Sequence, residues 1–383
     1  MLLVMKINTT YFAMPSSKLL YFRLVGILFL LNLVLLLSGC AGTPKSEDVG
    51  YIFYPPLPNP PRIQYLATFS NENDIGGGLG SFGKFLLGDE KDFSPIAKPY
   101  GTEIYDGKLY VIDARGSGYA VFDLKNEKFN FVIGSGGGYL QKPINMEIDK
   151  KGNKYVTDTD REQVVLFDKY DKFVRAYGTK GQFKPSDVAL DGQGHLYVAD
   201  LLTMSIHVLD VATGKTLFKF SSAGSGEDQL FHPTNLAIKD GLLYVADTTN
   251  GRIQKFTLEG VHVGSIGKLG TGLGEFARPK GIAIDKDNRI YVVDAAFENV
   301  QIFSEEGKLL LFFGEPGVER HNINLPTTVT IDYENVKYFK RYAAPKFNLE
   351  YVILVASQYG PNKVVAYGFG KMEGMDYSSS TTN

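Results

Sequence analysis

The chain has 383 residues, with 40 basic and 42 acidic side chains and a formal net charge of −2. A balance this even excludes general nucleic-acid binding, which needs a strongly basic surface. A single cysteine excludes an internal disulfide, so the fold must rest on its apolar core. Forty-two glycines, 23 tyrosines, 26 phenylalanines and no tryptophan suit an all-β protein with many turns.

Lys18 and Arg23 precede an uncharged apolar run over residues 24–37, short for a membrane span and of the length of a secretory h-region. The run ends in Leu37-Ser38-Gly39-Cys40, which resembles a bacterial lipobox. The resemblance implies a signal peptide over 1–39, with Met14 a second candidate start, and a Cys40 thiol carrying a diacylglycerol and further acyl chains such as palmitate. Two or three acyl chains, at about 0.8 kcal/mol per buried methylene, hold a protein to a membrane where one does not. Ala41 resembles the outer-membrane sorting signal of such lipoproteins, so the expected location is the cell envelope, at the outer membrane where two membranes exist. Residues 40–61 read as the lipidated cysteine and a flexible, proline-rich spacer, 62–372 as the folded domain and 373–383 as a disordered tail.

Internal repetition decides the fold. Pro99, Pro143, Pro185, Pro233, Pro279 and Pro326 each open a unit. An apolar-alternating strand follows, then a turn, then Tyr-Val-x-Asp ending at Asp113, Asp158, Asp200, Asp247 and Asp294, then two further strands. Four short strands per unit of roughly 40–50 residues is the signature of a propeller blade. The runs RPKGIAIDKDNRIYVVD (278–294) and HPTNLAIKDGLLYVADTTNGRIQKF (232–256) resemble the NHL repeat, which implies a six-bladed β-propeller over 98–370. The sixth unit departs: Ser357 stands where Asp is expected, residues 333–350 are inserted, and no fourth strand follows Gly370. The segment 62–69 reads as a fourth strand without a blade, so it is expected to complete blade six and close a monomeric ring.

Recurrent positions serve the fold and deviations are where function hides. The recurring aspartates are expected to accept backbone hydrogen bonds at turns. The glycine-rich runs 134–143, 223–233 and 267–279 lack the context of a phosphate loop and read as crossovers between blades. Before the opening prolines stand Lys98, Lys142, Lys184, His232, Arg278 and Leu325. Pseudo-symmetry gathers these at one channel mouth, where the cations either form a positive funnel for a small anion or an acidic partner loop, or snorkel and pair locally. Two residues past the proline, Asn145, Asp187 and Asn235 replace the glycine seen at Gly101 and Gly281, with Glu103 and Glu147 deeper in their strands. Glu103, Glu147 and Asp187 carry hard oxygen donors of the kind Ca²⁺ or another divalent ion accepts, and gluconolactonase-type propellers hold a metal in this general way; the same side chains could cap turns or hydrate the channel. The resemblance to NHL-type hydroxyglycine lyases implies three channel histidines for zinc, but His195, His207, His262 and His321 fall at unrelated blade positions, leaving only His232.

Outside the pattern, Phe82–Leu87 reads as a short helix. The insertion interleaves Lys337, Lys340, Arg341 and Lys346 with Tyr338, Phe339, Tyr342 and Phe347, suiting either a partner or headgroup surface or a hairpin packed on blade six. The expected role is that of an envelope-tethered scaffold binding a protein partner or an anionic ligand without a cofactor. The alternative is a metal-dependent hydrolase or lyase at the channel.

Overall fold

A computed structural model describes residues 50–75 and 96–378. Cys40, the signal segment and the helix expected at 82–87 lie outside the described residues.

The chain is a six-bladed β-propeller. The innermost strands are Pro99–Tyr105, Pro143–Ile148, Pro185–Leu190, Pro233–Lys239, Pro279–Ile284 and Pro326–Asp332. Each begins at the proline, where the missing N–H costs no ladder bond. In blades one to five the strands follow from the axis outward in sequence order, as four-stranded antiparallel sheets. The second strand of each blade has its apolar side chains covered on both faces, as in the fully buried Ile290–Asp294. The core is a set of seams between neighbouring blades. Tyr110, Ile112 and Tyr119 of blade one pack on Met146, Val156 and Phe167 of blade two, and equivalent clusters fill the next four seams. The last seam joins Val352, Leu354 and Ala356 of blade six to Leu109, Val111 and Phe122 of blade one.

Blade six is closed by the start of the domain. Ile63–Phe69 pairs antiparallel with Val364–Met372, from Ile63 opposite Phe369 to Phe69 opposite Val364. The ring starts earlier than Arg62, however. Phe53–Tyr54, expected to be spacer, pairs with Ile63 and Gln64 as a fifth strand, because Phe53 has an apolar site against Phe347 at 5.9 Å. The far end is likewise held: Tyr377, expected in the disordered tail, donates its hydroxyl proton to the Pro61 carbonyl at 2.8 Å and accepts from the Met372 amide at 2.8 Å.

The insertion is a latch over this closure. It forms a short helix, Val336–Phe339, a helical turn, Lys340–Tyr342, and an extension of the strand Phe347–Ser357 that pairs out to Met372. Phe339 is fully buried with its ring edge-on to Phe69 at 6.0 Å. Buried Gln64 of the closing strand donates to the Tyr342 carbonyl at 3.1 Å and accepts from the Ala344 amide at 2.9 Å. Arg341 pairs with Glu127 of blade one at 2.9 Å. The aromatic residues on the inner side of the insertion thus bind blade six to blade one.

Deleting residues 62–69 is expected to abolish the single cooperative melt of the domain, and Phe339→Ala to cost about 3–5 kcal/mol, the usual figure for emptying a buried phenylalanine site. Thermal denaturation checks both, and an unchanged midpoint in either variant contradicts a ring closed in this way.

Candidate functional site: the channel mouth

The first loop after the second strand of every blade and the crossover into the next blade lie at the proline end of the inner strands, so one face of the ring carries both. On that face the channel opens into a cavity of about 800 Å³. Seven cations line it: Lys98, Arg115, Lys142, Lys184, Arg278, Lys280 and Lys363. Among the described residues no aspartate or glutamate lines it.

Buried aspartates aim the crossovers at this opening. Asp113 is fully buried and accepts from the Ala97, Lys98, Arg115 and Gly116 amides at 2.6–3.0 Å. Asp158 does the same for Gln141, Lys142, Asp160 and Arg161, and Asp294 for Ala277, Arg278, Ala296 and Phe297. Asp200 accepts from Lys184, Leu202 and Thr203. Each carboxylate therefore ties the residue before the proline to the turn of its own blade, at about 1.5–3 kcal/mol per charge-assisted bond.

Two blades break the pattern, and the consequence is visible at the mouth. Asp247 takes Phe231 N–H at 2.7 Å and the Arg252 guanidinium at 2.9 Å, while His232 swings into the left-handed region at φ 71°. His232 is not among the lining residues. Burial, reinforced by the charges of Lys280 and Arg278, holds its pKa below the usual histidine value. In blade six Ser357 replaces the aspartate and accepts from the Asn324 amide at 3.1 Å, and Leu325 also takes a positive φ of 45°.

The sequence pattern before the prolines thus finds Lys98, Lys142, Lys184 and Arg278 but misses Arg115, Lys280 and Lys363. Lys280 stands one residue past its proline, where its ammonium donates to the Tyr100 hydroxyl at 3.1 Å and lies 4.8 Å from that ring. Arg115 and Lys363 come from turns, which no repeat alignment of the prolines marks. Among the described residues only Lys142 of the seven has a carboxylate within ion-pair reach, Asp160 at 3.9 Å and exposed. Burial pushes the Lys363 pKa down, and buried Asp113 partly opposes this.

Below the cations the channel holds three acids. Asp187 accepts from its own neighbour Val188 N–H and, across the blade seam, from Leu236 N–H, both at 2.8 Å. Asn145 and Asn235 add side-chain bonds to the same carboxyl. This is the reason for the substitutions at the glycine position. A Cβ at Gly101 would stand 2.0 Å from the Asn145 oxygen, and one at Gly281 would stand 2.4 Å from Thr328 Cα. Glycine is required at those two positions, whereas Asn145, Asp187 and Asn235 bridge blades two, three and four through their side chains. Burial, with the charge of Asp187, raises Glu103 to about 8. Burial also lifts Asp187 to about 7 against its hydrogen bonds, and Glu147, flanked by both, is raised well above the carboxylate range. Among the described residues no three His, Cys, Asp or Glu side chains are disposed to hold a metal ion. The histidines stay apart: His195 pairs with Asp191 at 2.6 Å, His207 with Asp200 at 3.3 Å and His321 with Glu315 at 3.2 Å.

The comparisons agree with the ring. A family model described as a six-bladed β-propeller, DUF5128, matches residues 226–310. A probable peptidyl-alpha-hydroxyglycine alpha-amidating lyase, pgal-1, from Caenorhabditis elegans is 31% identical over 135 residues, covering 32% of this chain and 39% of its own length. The match thus spans about two fifths of that relative. Among solved structures, virginiamycin B lyase from Staphylococcus aureus superposes with a TM-score of 0.50 at 16% identity, over 70% of this chain and 80% of its own. A gluconolactonase from Xanthomonas campestris superposes with a TM-score of 0.53 at 14% identity, over 72% and 86%. At these identities the likeness is one of fold.

The raised acids fix the sign of a pH effect. In the unfolded chain Glu103 and Asp187 ionise near pH 4, in the folded chain only at about 8 and about 7, so between these values the native state holds more protons and loses stability as pH rises. The melting temperature is expected to fall from pH 5 to pH 8, and Glu103→Gln to flatten that slope. A slope unchanged by the substitution contradicts the assignment.

Proposed function

We propose that this protein is an envelope-tethered binding platform whose working surface is the channel mouth, and that it captures an anionic group there. One observation carries the reading: seven cations surround a concave opening with no carboxylate among its described lining residues, on a chain of net charge −2. Self-repulsion of that kind is kept where a ligand relieves it, and low-dielectric walls focus the field on whatever enters. Membrane attachment through acylated Cys40 belongs to the same reading. No helix among the described residues is long and apolar enough to cross a membrane. The chain joins the ring through Phe53–Tyr54, paired at the Ile63 end of the closing strand, whereas the mouth lies at the Phe69 end. The described chain therefore enters the ring on the side opposite the mouth.

A metal-dependent hydrolase or lyase built on Glu103, Glu147 and Asp187 is the second reading. Three pKa-raised carboxyls in one channel and the catalytic names of the relatives favour catalysis, but among the described residues these acids are not disposed to hold a metal ion. It requires a stoichiometric divalent ion that Asp187→Ala releases.

The test of the binding reading uses a labelled tetraglutamate peptide and the full-length chain in mild detergent, followed by fluorescence anisotropy. Lys98, Lys142 and Lys184 are at least partly exposed, so their joint replacement by alanine leaves the fold intact. At about 0.5–1 kcal/mol per partly exposed charge, the triple variant should bind roughly ten- to a hundredfold more weakly, and salt should weaken the wild type in the same direction. Equal binding by the two proteins overturns the reading.

A further inference from the structure

The charged ring is not continuous. Blades one, two, three, five and six each place a cation at the mouth, whereas blade four places none there. Its His232 is turned out of line and is shifted toward the neutral form by burial. Exposed apolar side chains flank this gap, with the exposed acids Glu227 and Asp228 at the tip of the loop that enters blade four. Phe231 is 46% exposed, Leu202 52%, Leu269 62% and Leu273 79%. Leu202 adjoins Leu201, which lines the cavity, and Phe231 stands next to His232, two residues before the blade-four proline, so the apolar side chains begin where the cations stop.

These side chains are presented on built loops. The crossover into blade four is closed by a bridge between Ala223 and Leu230, and the crossover out of it by one between Leu269 and Phe276. Gln229 caps the first by accepting from Gly226 N–H at 3.0 Å, and Glu275 caps the second by accepting from Gly272 N–H at 2.8 Å. Buried Leu230 and Phe276 anchor both loops into the seams on either side. Phe231 and Leu269 are therefore displayed on pre-organised backbone, which lowers the ordering cost of using them in a contact.

We infer that the mouth takes an acidic segment of a partner protein in which carboxylates are followed directly by apolar residues, the carboxylates entering the cationic cavity and the apolar residues lying across the blade-four sector on Leu202, Phe231, Leu269 and Leu273. The inference rests on the anionic reading of the mouth and names its ligand class. Charge complementarity selects the acid, and the apolar gap in the ring selects its neighbour. A bilayer fits less well, because the cations surround a hollow of about 800 Å³ and a flat headgroup layer cannot enter it.

Two labelled peptides test it on the full-length chain: four glutamates followed by Leu-Phe, and four glutamates followed by Ser-Ser. The apolar-flanked peptide is expected to bind at least tenfold more tightly, and Phe231→Ser with Leu269→Ser to abolish that preference while leaving the affinity for the Ser-Ser peptide unchanged. Equal affinity of the two peptides for the wild type, or a preference that survives in the double variant, overturns the inference while leaving the mouth reading standing. Failure of both peptides to bind defeats the mouth reading itself. Anionic phosphatidylglycerol vesicles that bind through the same four residues more strongly than the peptides would replace the protein segment by a lipid surface.

Discussion

The geometry of this molecule depends on one repeated contact, a buried carboxylate at the end of each second strand gripping the amides of the crossover that enters its blade. A repulsive ring of cations needs rigid backbone beneath it, since flexible loops would let the lysines move apart into solvent. Asp113, Asp158 and Asp294 each take four amides and Asp200 three, and in all four blades one of the amides belongs to the residue whose side chain reaches the mouth. Asp113 also acts through its charge on Lys363, so at that point the carboxylate that fixes the loop also supports a cation of the mouth. Scaffold and site are in this respect one construction.

Where the grip changes, the surface changes with it. In blade four Arg252 takes part of the Asp247 carboxylate, the amide of His232 is released, and the cation ring gives way to apolar side chains. In blade six Ser357 has a single oxygen to offer, and Leu325 stands where a cation would otherwise reach inward. A six-fold scaffold thereby acquires a directional mouth, charged around most of its circumference and apolar over one sector.

Much of this was legible in the sequence because the propeller rule is local: proline, alternating strand, Tyr-Val-x-Asp, turn. The six units, the closing strand and the turn aspartates follow from it. The N-terminal fifth strand did not, since Phe53-Tyr54 is too short for any alternation and is flanked by prolines that suggest a spacer. Three of the seven lining cations were equally hidden. Pseudo-symmetry predicts positions before the proline, but Lys280 reaches the mouth from the residue after it, and Arg115 and Lys363 come from the turns after the second strands, which the prolines do not mark. The sequence did not reveal that His232 would leave the ring, because a positive φ is a property of how Asp247 is shared and not of the histidine. The raised acids Glu103, Glu147 and Asp187 lie on three adjacent blades, and only the closed ring brings them to one channel.

The most direct measurement of the central claim is amide hydrogen exchange across the crossovers, read by mass spectrometry on wild type and Asp158→Ala. The account predicts strong protection at Gln141 and Lys142 in the wild type, lost selectively in the variant while the second strand Lys154–Asp158 stays protected. Exchange at those two amides that is fast in the wild type, or slow and identical in both proteins, would contradict the view that buried carboxylates set the mouth.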